Sequence, residues 1–365
     1  MRHTLDFEKT ISDLQDKISK LKDSGSDKTS LVEVNEQIEE IKVKIDKKLN
    51  DIYKKLTPWH KLQVARHPER PHFKDYIKTL FQDFEALSGD RLFKEDPALL
   101  CGFATFYDKS VMIMGHEKGR DTEGRIQHNF GMAKPEGYRK AMRLMKLAEK
   151  FNLPILTFVD TPGAYPGVGA EQRGQSEAIA KCIEVSLNLK IPTISVIIGE
   201  GGSGGAVAIA TTNKVLMLEH SVYSVISPEG CASILWRDPS KSLEAAKAMK
   251  LTANELLKMQ IIDEIIKEPV GGAHRNKEQV ILSIKKVLIK YLEEFKKYTG
   301  EEIFEQRKKK FLGIGKEKTF TVFSRGTNWI KKDNFFEPVK EILFKFKKEF
   351  IIIALLIFTV ILFLF

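Results

Sequence analysis

The sequence predicts an α/β fold with covered sheets, and three observations carry that prediction. Short apolar runs at 155–159, 193–198 and 214–218 are rich in β-branched residues and too short for helices. Stretches with helical periodicity separate them, the alternation that defines α/β architecture. Two of the runs end in glycine-rich segments, 160–171 and 199–206, at strand ends where α/β folds collect ligands.

The elements follow in order. Residues 8–22 place Ile11, Leu14, Ile18 and Leu21 on one helical stripe. Residues 31–56 do the same with Leu31, Val34, Ile38, Ile41, Ile45, Leu49, Ile52 and Leu56. A turn composition at 23–27 joins them, which predicts a helical hairpin, either an assembly arm or a plain stabilising element. Prolines 58, 68, 71 and 97 interrupt the next stretch, within which 73–87 has the pattern of an amphipathic helix. Two apolar runs over 99–114, split at Asp108-Lys109, predict a β-hairpin. Helices are expected at 136–151, 171–187 and 203–211, interleaved with the three apolar strands. A further strand is expected at 222–226, and helices at 229–236, 242–260 and 279–298. Residues 313–349 are basic and broken by Gly and Asn, and 350–365 are 16 residues without a charge. As a helix those 16 residues would span roughly 24 Å, short of a hydrocarbon core of about 30 Å.

Composition narrows the class. At 365 residues, 42% apolar and 30% charged, the chain is long enough to bury a sizeable core. Cys101, Cys182 and Cys231 lie far apart with no CxxC spacing, so neither a disulfide framework nor a zinc site is expected, and the compartment reads as reducing. The first thirty residues hold no apolar core of a secretory signal. Net charge is +10, but residues 307–349 carry 13 Lys/Arg against 5 Asp/Glu, a net of +8 that leaves +2 for the rest. A basic tail beside an apolar terminus reads as a membrane-surface signal, and no nucleic-acid partner is expected. Lys345, Lys347 and Lys348 just before the apolar run suit a short anchor under the positive-inside rule; a helix buried in a partner and an extension without function are the alternatives.

The glycine segments point to chemistry done by backbone. Glycine permits close backbone approach, and a helix that follows offers free N–H groups and the positive end of its dipole. Residues 199–206 fit three templates. Gly199, Gly201 and Gly204, with Glu219 downstream, match a dinucleotide fingerprint. Gly201, Ser203 and Gly205 match a nucleophile elbow, with Asp263 and His274 in the order a serine hydrolase needs. The N–H groups of Gly204 and Gly205 would form an oxyanion hole that needs no side-chain nucleophile. A P-loop is excluded, because no Gly-Lys-Ser/Thr follows. His116, Glu117, Lys118, Arg120 and Arg125 cluster after a strand, as contacts for phosphates or a partner or as a solvated loop. Glu200 reads as orienting the glycine segment or as a surface acid, His274 as structural, and Ser203 as a small cap.

Long stretches then resemble one family. GHEKGRDTEGRIQHNFGMAKPEGYRKAMRLM (115–145), FVDTPGAYPGVGAEQRGQSEAIA (158–180), IGEGGSGGAVAI (198–209), YSVISPEGCASILW (223–236), GGAHRN (271–276), ARHPERPHFKDYI (65–77) and an early LDFEK are similar to the alpha subunit of bacterial and plastid acetyl-CoA carboxylase carboxyltransferase. The likeness covers about residues 4–300. It implies an α/β, crotonase-like (ClpP/crotonase) spiral of ββα units as a carboxyltransferase domain over 61–300; to this the residue patterns add an N-terminal helical hairpin over 1–60, a basic linker over 301–349 and a hydrophobic tail, read as a C-terminal helix, over 350–365. It implies transfer of a carboxyl group from carboxybiotin on a biotin carboxyl carrier protein to acetyl-CoA, giving malonyl-CoA for fatty acid synthesis. Both are substrates, and no covalently bound cofactor or metal is expected. ATP and nucleotide binding go with the enzyme by the same resemblance. Implied partners are a beta subunit in an α2β2 assembly, the carrier protein and biotin carboxylase, in cytoplasm or plastid stroma, with membrane contact through 350–365 added by the tail. Gly204 and Gly205 would be the catalytic oxyanion donors. Gly163, Ala164, Tyr165, Gly201, Gly202 and Arg275 would line the biotin site. The family as known does not end in FIIIALLIFTVILFLF.

Overall fold

A computed structural model describes residues 4–24 and 30–315. The apolar run expected at 350–365, and most of the basic segment before it, lie outside the described residues. The chain divides into two units, Met1–Phe311 and Leu312–Phe365.

Two helices open the chain, α1 (Lys9–Ser24) and α2 (Ser30–Tyr53). Ile11, Ile45, Leu49 and Tyr53 share one apolar cluster with Leu5 and Val64, and Leu14, Ile18 and Ile41 pack at its margin. Val64 belongs to α3 (Pro58–Ala65), whose first turn is closed by His60 N–H donating to Thr57 Oγ1 at 3.2 Å. Then follow α4 (Phe73–Leu80), β1 (Gln82–Ala86), β2 (Leu99–Phe106) and β3 (Lys109–His116). The helix expected over 73–87 therefore ends early. Asp83 takes a positive φ of 50°, and β1 pairs antiparallel with β2 at the sheet edge. The hairpin turn falls at Tyr107-Asp108, both with φ > 0 (48° and 58°), one residue before the expected split.

Next come α5 (Thr122–Gln127), α6 (Pro135–Lys150), β4 (Ile155–Thr161), α7 (Val168–Gln172), α8 (Gln175–Asn188), β5 (Thr193–Gly202) and α9 (Ser203–Ala210). The described residues finish with β6 (Lys214–Leu218), β7 (Val222–Ser224), α10 (Pro228–Leu235), α11 (Ser242–Ala248), α12 (Ala253–Lys258), β8 (Glu264–Ile266), α13 (Lys277–Phe295) and α14 (Gly300–Gly313). Two expected helices are broken. Gly174, at φ 78°, separates α7 from α8, and Lys250, at φ 51°, separates α11 from α12. The helix α14 falls within the stretch expected as a linker.

The sheet runs β1-β2-β3-β4-β5-β6-β8, antiparallel through β3 and parallel from there, with β7 paired to the far end of β5. Alternation along each strand sends side chains to opposite faces. Met112, Met114, Ile155, Ile197, Val215 and Met217 meet one set of helices, including Tyr138, Ala141 and Leu144 of α6 and Cys182 of α8. Ile113, Leu156, Phe158, Val196 and Leu216 meet Phe73 and Tyr76 of α4 and Ile284 and Leu288 of α13. Both faces are thus covered, as the continuous apolar strands demand.

Candidate active site at the glycine-rich strand ends

The parallel strands β4 and β5 stop at the same edge of the sheet. Val159 pairs with Ile197, a register shift follows, and Thr161 then pairs with Gly201. The second glycine segment departs from expectation here. Gly199 to Gly202 are not a loop but the end of β5, where Glu200, Gly201 and Gly202 pair with Val222, Tyr223 and Ser224 of β7. A phosphate-gripping turn does not form at Gly199 and Gly201, so the dinucleotide template fails. Its acidic partner Glu219 is paired with Lys267 at 2.8 Å.

The turn comes at Ser203, which carries φ 54° between strand and helix. For a residue with a Cβ that is a strained position. Nevertheless the hydrolase template also fails. Asp263 accepts from Val215 N–H at 2.6 Å and from the Lys310 ammonium. His274 stacks on His67 with ring centroids 3.9 Å apart. Neither partner is held for a Ser203 nucleophile, and Ser203 makes no cap bond to α9, whose N-cap is Gly202.

Glycine is required because the two segments press backbone on backbone. A Cβ on Gly202 would lie 2.1 Å from the Pro162 carbonyl oxygen, and one on Gly205 would lie 2.7 Å from Ala164 N. A Cβ on Gly201 would sit 2.9 Å from the Tyr223 ring. Two amides of the first segment are spent locally. Gly163 N–H donates to Thr161 Oγ1 at 3.1 Å, and Tyr165 N–H donates to the Ala133 carbonyl at 3.0 Å. Lys134 Nζ sits 4.7 Å over the Tyr165 ring. The amides of Gly204 and Gly205 differ. They belong to the first turn of α9, where N–H groups lack intrahelical partners. No side chain or loop carbonyl among the described residues accepts from them. The structure therefore brings Gly163, Ala164, Gly202 and Gly205 into contact, with Tyr165, Gly201 and Gly204 beside them.

Arg275 goes elsewhere. Its Nη2 donates to Glu8 Oε2 at 3.0 Å, and Glu8 also accepts from Tyr53 Oη at 2.7 Å. Arg275 lines two cavities, neither of which includes a residue of the glycine segments. Its visible role is to dock the N-terminal segment, because Glu8 is 2% exposed and needs a cation there.

Polar side chains brace the strand ends from beneath. Asp160 Oδ1 accepts Glu200 N–H at 2.9 Å and pairs with Lys118 Nζ at 2.6 Å. The Glu200 carboxylate takes both prongs of Arg66, at 2.7 and 3.0 Å, so it is a buried, paired group rather than a surface acid. Arg70 donates to the Ile198 carbonyl at 2.9 Å and pairs with the fully buried side chain of Glu268 at 2.8 Å. Burial alone would raise the Glu268 pKa; Arg70 outweighs it and holds the carboxyl down at about 2. The charged cluster after β3 divides. Burial pushes His116 down to about 3, and Glu117 is consumed by the N–H groups of Lys74 and Gly119. Lys118, Arg120 and Arg125 instead line a groove of about 790 Å³ together with Arg66, Asp160 and Pro162. Arg66, Arg70 and Glu229 were absent from the sequence-derived candidates. The signal for the two arginines was the ARHPERPH stretch, which places them four residues apart. Among the described residues no three His, Cys, Asp or Glu side chains converge as metal ligands.

Solved structures share this α/β fold with a mixed sheet. A transcarboxylase 12S chain superposes with a TM-score of 0.51 at 18% identity, over 62% of this chain and 42% of that one. A chain of a Pseudomonas malonate decarboxylase hetero-tetramer superposes with a TM-score of 0.51 at 14% identity, over 63% and 90%. Sequence is more specific. The acetyl co-enzyme A carboxylase carboxyltransferase-like family matches residues 4–315. Acetyl-coenzyme A carboxylase carboxyl transferase subunit alpha of Pelagibacter ubique is 56% identical over 321 residues, 88% of this chain and 87% of that protein. Its namesake from Agrobacterium fabrum is 54% identical over 316 residues, 87% and 99%. The chain belongs to the family of acetyl-CoA carboxylase carboxyltransferase alpha subunits.

Proposed function

We propose that this chain supplies the biotin-facing half of a carboxyltransferase active site, completed by a beta subunit. The reaction moves a carboxyl group from carboxybiotin on a carrier protein to acetyl-CoA and yields malonyl-CoA. As the C–N bond of carboxybiotin breaks, negative charge collects on the ureido oxygen. The unpaired amides of Gly204 and Gly205 are the groups on this chain suited to receive it. That observation carries the reading: two adjacent N–H donors at the positive end of a helix, with backbone pressed against Gly205 so closely that no side chain fits there. No side-chain nucleophile is needed, which fits the failure of the hydrolase template. Gly163, Ala164, Tyr165, Gly201 and Gly202 form the walls; Arg275 acts through the docking of the N-terminal segment.

An α2β2 assembly is the proposed context, with biotin carboxylase reloading the carrier. Support for a partner comes from large apolar side chains left in solvent on and beside α10, which follows β7: Val225, Ile234 and Leu235 are 68–79% exposed. The helices α1 and α2 are proposed as an assembly arm and 350–365 as a membrane anchor. Among the described residues no helix is long and apolar enough to cross a membrane. Sedimentation of the full chain with vesicles, compared with a 1–312 fragment, tests the anchor; a full chain that stays in the supernatant rejects it.

The functional reading is tested by transfer between malonyl-CoA and free biotin, with this chain alone and mixed with its beta partner. Activity is expected only in the mixture and should vanish in Gly205→Val. A stable complex without activity would leave a scaffold role instead.

A further inference from the structure

Arg66 follows the last turn of α3 and holds two carboxylates at once. Its Nε and Nη2 grip the Glu200 oxygens at 3.0 and 2.7 Å, and its Nη1 donates to Glu229 Oε1 at 2.7 Å. Glu200 stands directly before Gly201-Gly202, so its backbone is part of the strand that delivers Gly204 and Gly205. Asp160 and pairing with Val222 of β7 hold that backbone, and Arg66 holds the side chain. Glu229 lies in the first turn of α10, the helix that follows β7 in the chain. One guanidinium therefore spans the strand end that precedes the glycine turn and the helix that follows its neighbour.

We infer that Arg66 is a positioning residue for the carboxyl-transfer site, a role that rests on the function proposed above. It fixes the glycine turn through Glu200 and ties α10 to it through Glu229. Two physical points support this over a plain surface ion pair. The Glu200 side chain is 8% exposed, and a carboxylate that buried is costly unless a cation meets it. The positive φ of Ser203 persists only if its surroundings over-determine the backbone, and the residues just before it are the ones Arg66 and Asp160 hold from two sides. Donor amides need such support, because a shift of about 1 Å at a catalytic group costs on the order of 100-fold in rate. Lysine cannot replace the fork, having one ammonium where arginine presents a planar set of donors.

The test uses the full chain assembled with its beta partner, with Arg66→Lys, Arg66→Met and Glu229→Gln compared with the parent. Arg66→Lys keeps the charge and loses the fork. Its kcat for transfer to free biotin should fall about 10-fold or more, with KM for the acyl-CoA within about twofold. Glu229→Gln keeps the Glu200 pair and should give a smaller fall, about 3-fold, that adds nothing further in the Arg66→Lys background. Backbone amide exchange across 199–206 should speed up in Arg66→Lys while the rest of the fold keeps its protection. Should Arg66→Met fail to fold, the other two variants still decide. Parental kcat and unchanged exchange in Arg66→Lys would overturn the proposal. Were the parent complex inactive, the functional reading would fail separately, and amide exchange would still tell whether Arg66 holds the glycine turn.

Discussion

The carbonyl oxygen of Pro162 occupies the place where a side chain on Gly202 would begin: a Cβ there would stand 2.1 Å from it. The turn after β4 and the end of β5 are therefore in backbone contact, with no side chain between them. Gly202→Ala must push these strand ends apart. A loss of about 1–3 kcal/mol of stability is expected from such overpacking, together with loss of carboxyl transfer. Gly204→Ala is the control for the fold, since its Cβ would meet Ile179 Cγ2 at an ordinary 3.4 Å. Thermal unfolding of the two variants separates them; equal midpoints would contradict the contact.

Arg70 and Glu268 make the most enclosed ion pair near the site, with side chains 2% and 0% exposed. Burial opposes ionisation of Glu268, but the guanidinium prevails and holds the carboxyl at about 2, below its ordinary value of about 4.3. A depressed carboxyl contributes stability that is complete above its unfolded pKa and is lost as pH falls through the folded one. The window is thus about pH 4.5 down to 2, with on the order of 3 kcal/mol at stake. Glu268→Gln should remove that slope and cost about 3–5 kcal/mol at neutral pH, because Arg70 is left buried and unpaired. Urea unfolding of both proteins at a series of pH values reads both effects.

Much of this fold was legible as pattern. Residues 155–159, 193–198 and 214–218 read as strands because both sheet faces are covered, so no polar side appears in them. β1 escaped because Gln82–Ala86 is an exposed edge strand whose composition continues the pattern of the helix before it. α14 escaped because its basic residues merged with the basic run that follows. The site was half legible. Glycine density marked both segments, and at Gly202 and Gly205 only glycine admits the backbone approach. Arg66 and Glu200 are 134 residues apart, and Arg275 and Glu8 are 267 apart, separations at which no local pattern reports a pair.

His116 gives a second, distinct pH dependence. It is 1% exposed, and neither ring nitrogen has a hydrogen-bond partner among the described residues. Burial is the main cause of its fall to about 3; Asp160 opposes the fall and Lys118 adds to it. An imidazole kept neutral in the folded state costs nothing above its unfolded pKa of about 6.5 and costs more with each step below it. Between pH 7 and pH 5 the protein should lose about 2 kcal/mol through this group. His116→Leu should show a shallower dependence over that interval than the parent. Parallel curves for the two proteins would mean that His116 does not titrate on unfolding.

Arg307, in α14, is a buried cation that spends its charge on carbonyls. Its guanidinium donates to the carbonyl oxygens of Ser186 at 3.1 Å, Leu189 at 2.6 Å and Ile191 at 2.8 Å, and also to Asn213 Oδ1. The first of these lies in the last turn of α8, where a cation is favoured by the dipole and by carbonyls without partners. Burial lowers the Arg307 pKa to about 10, which leaves it charged at neutral pH. α8 in turn packs on α9 through Cys182, whose thiol donates to the Ala208 carbonyl at 3.3 Å, so Arg307 stabilises the helix pair behind the glycine turn. Arg307→Met strands several acceptors in the interior and should cost about 3 kcal/mol or more. Arg307→Lys should recover only part of that, because one ammonium cannot reach acceptors spread over two chain segments. Chemical denaturation of the three proteins gives the order parent, Lys, Met. A Met variant as stable as the parent would show that water satisfies those carbonyls as well as Arg307 does.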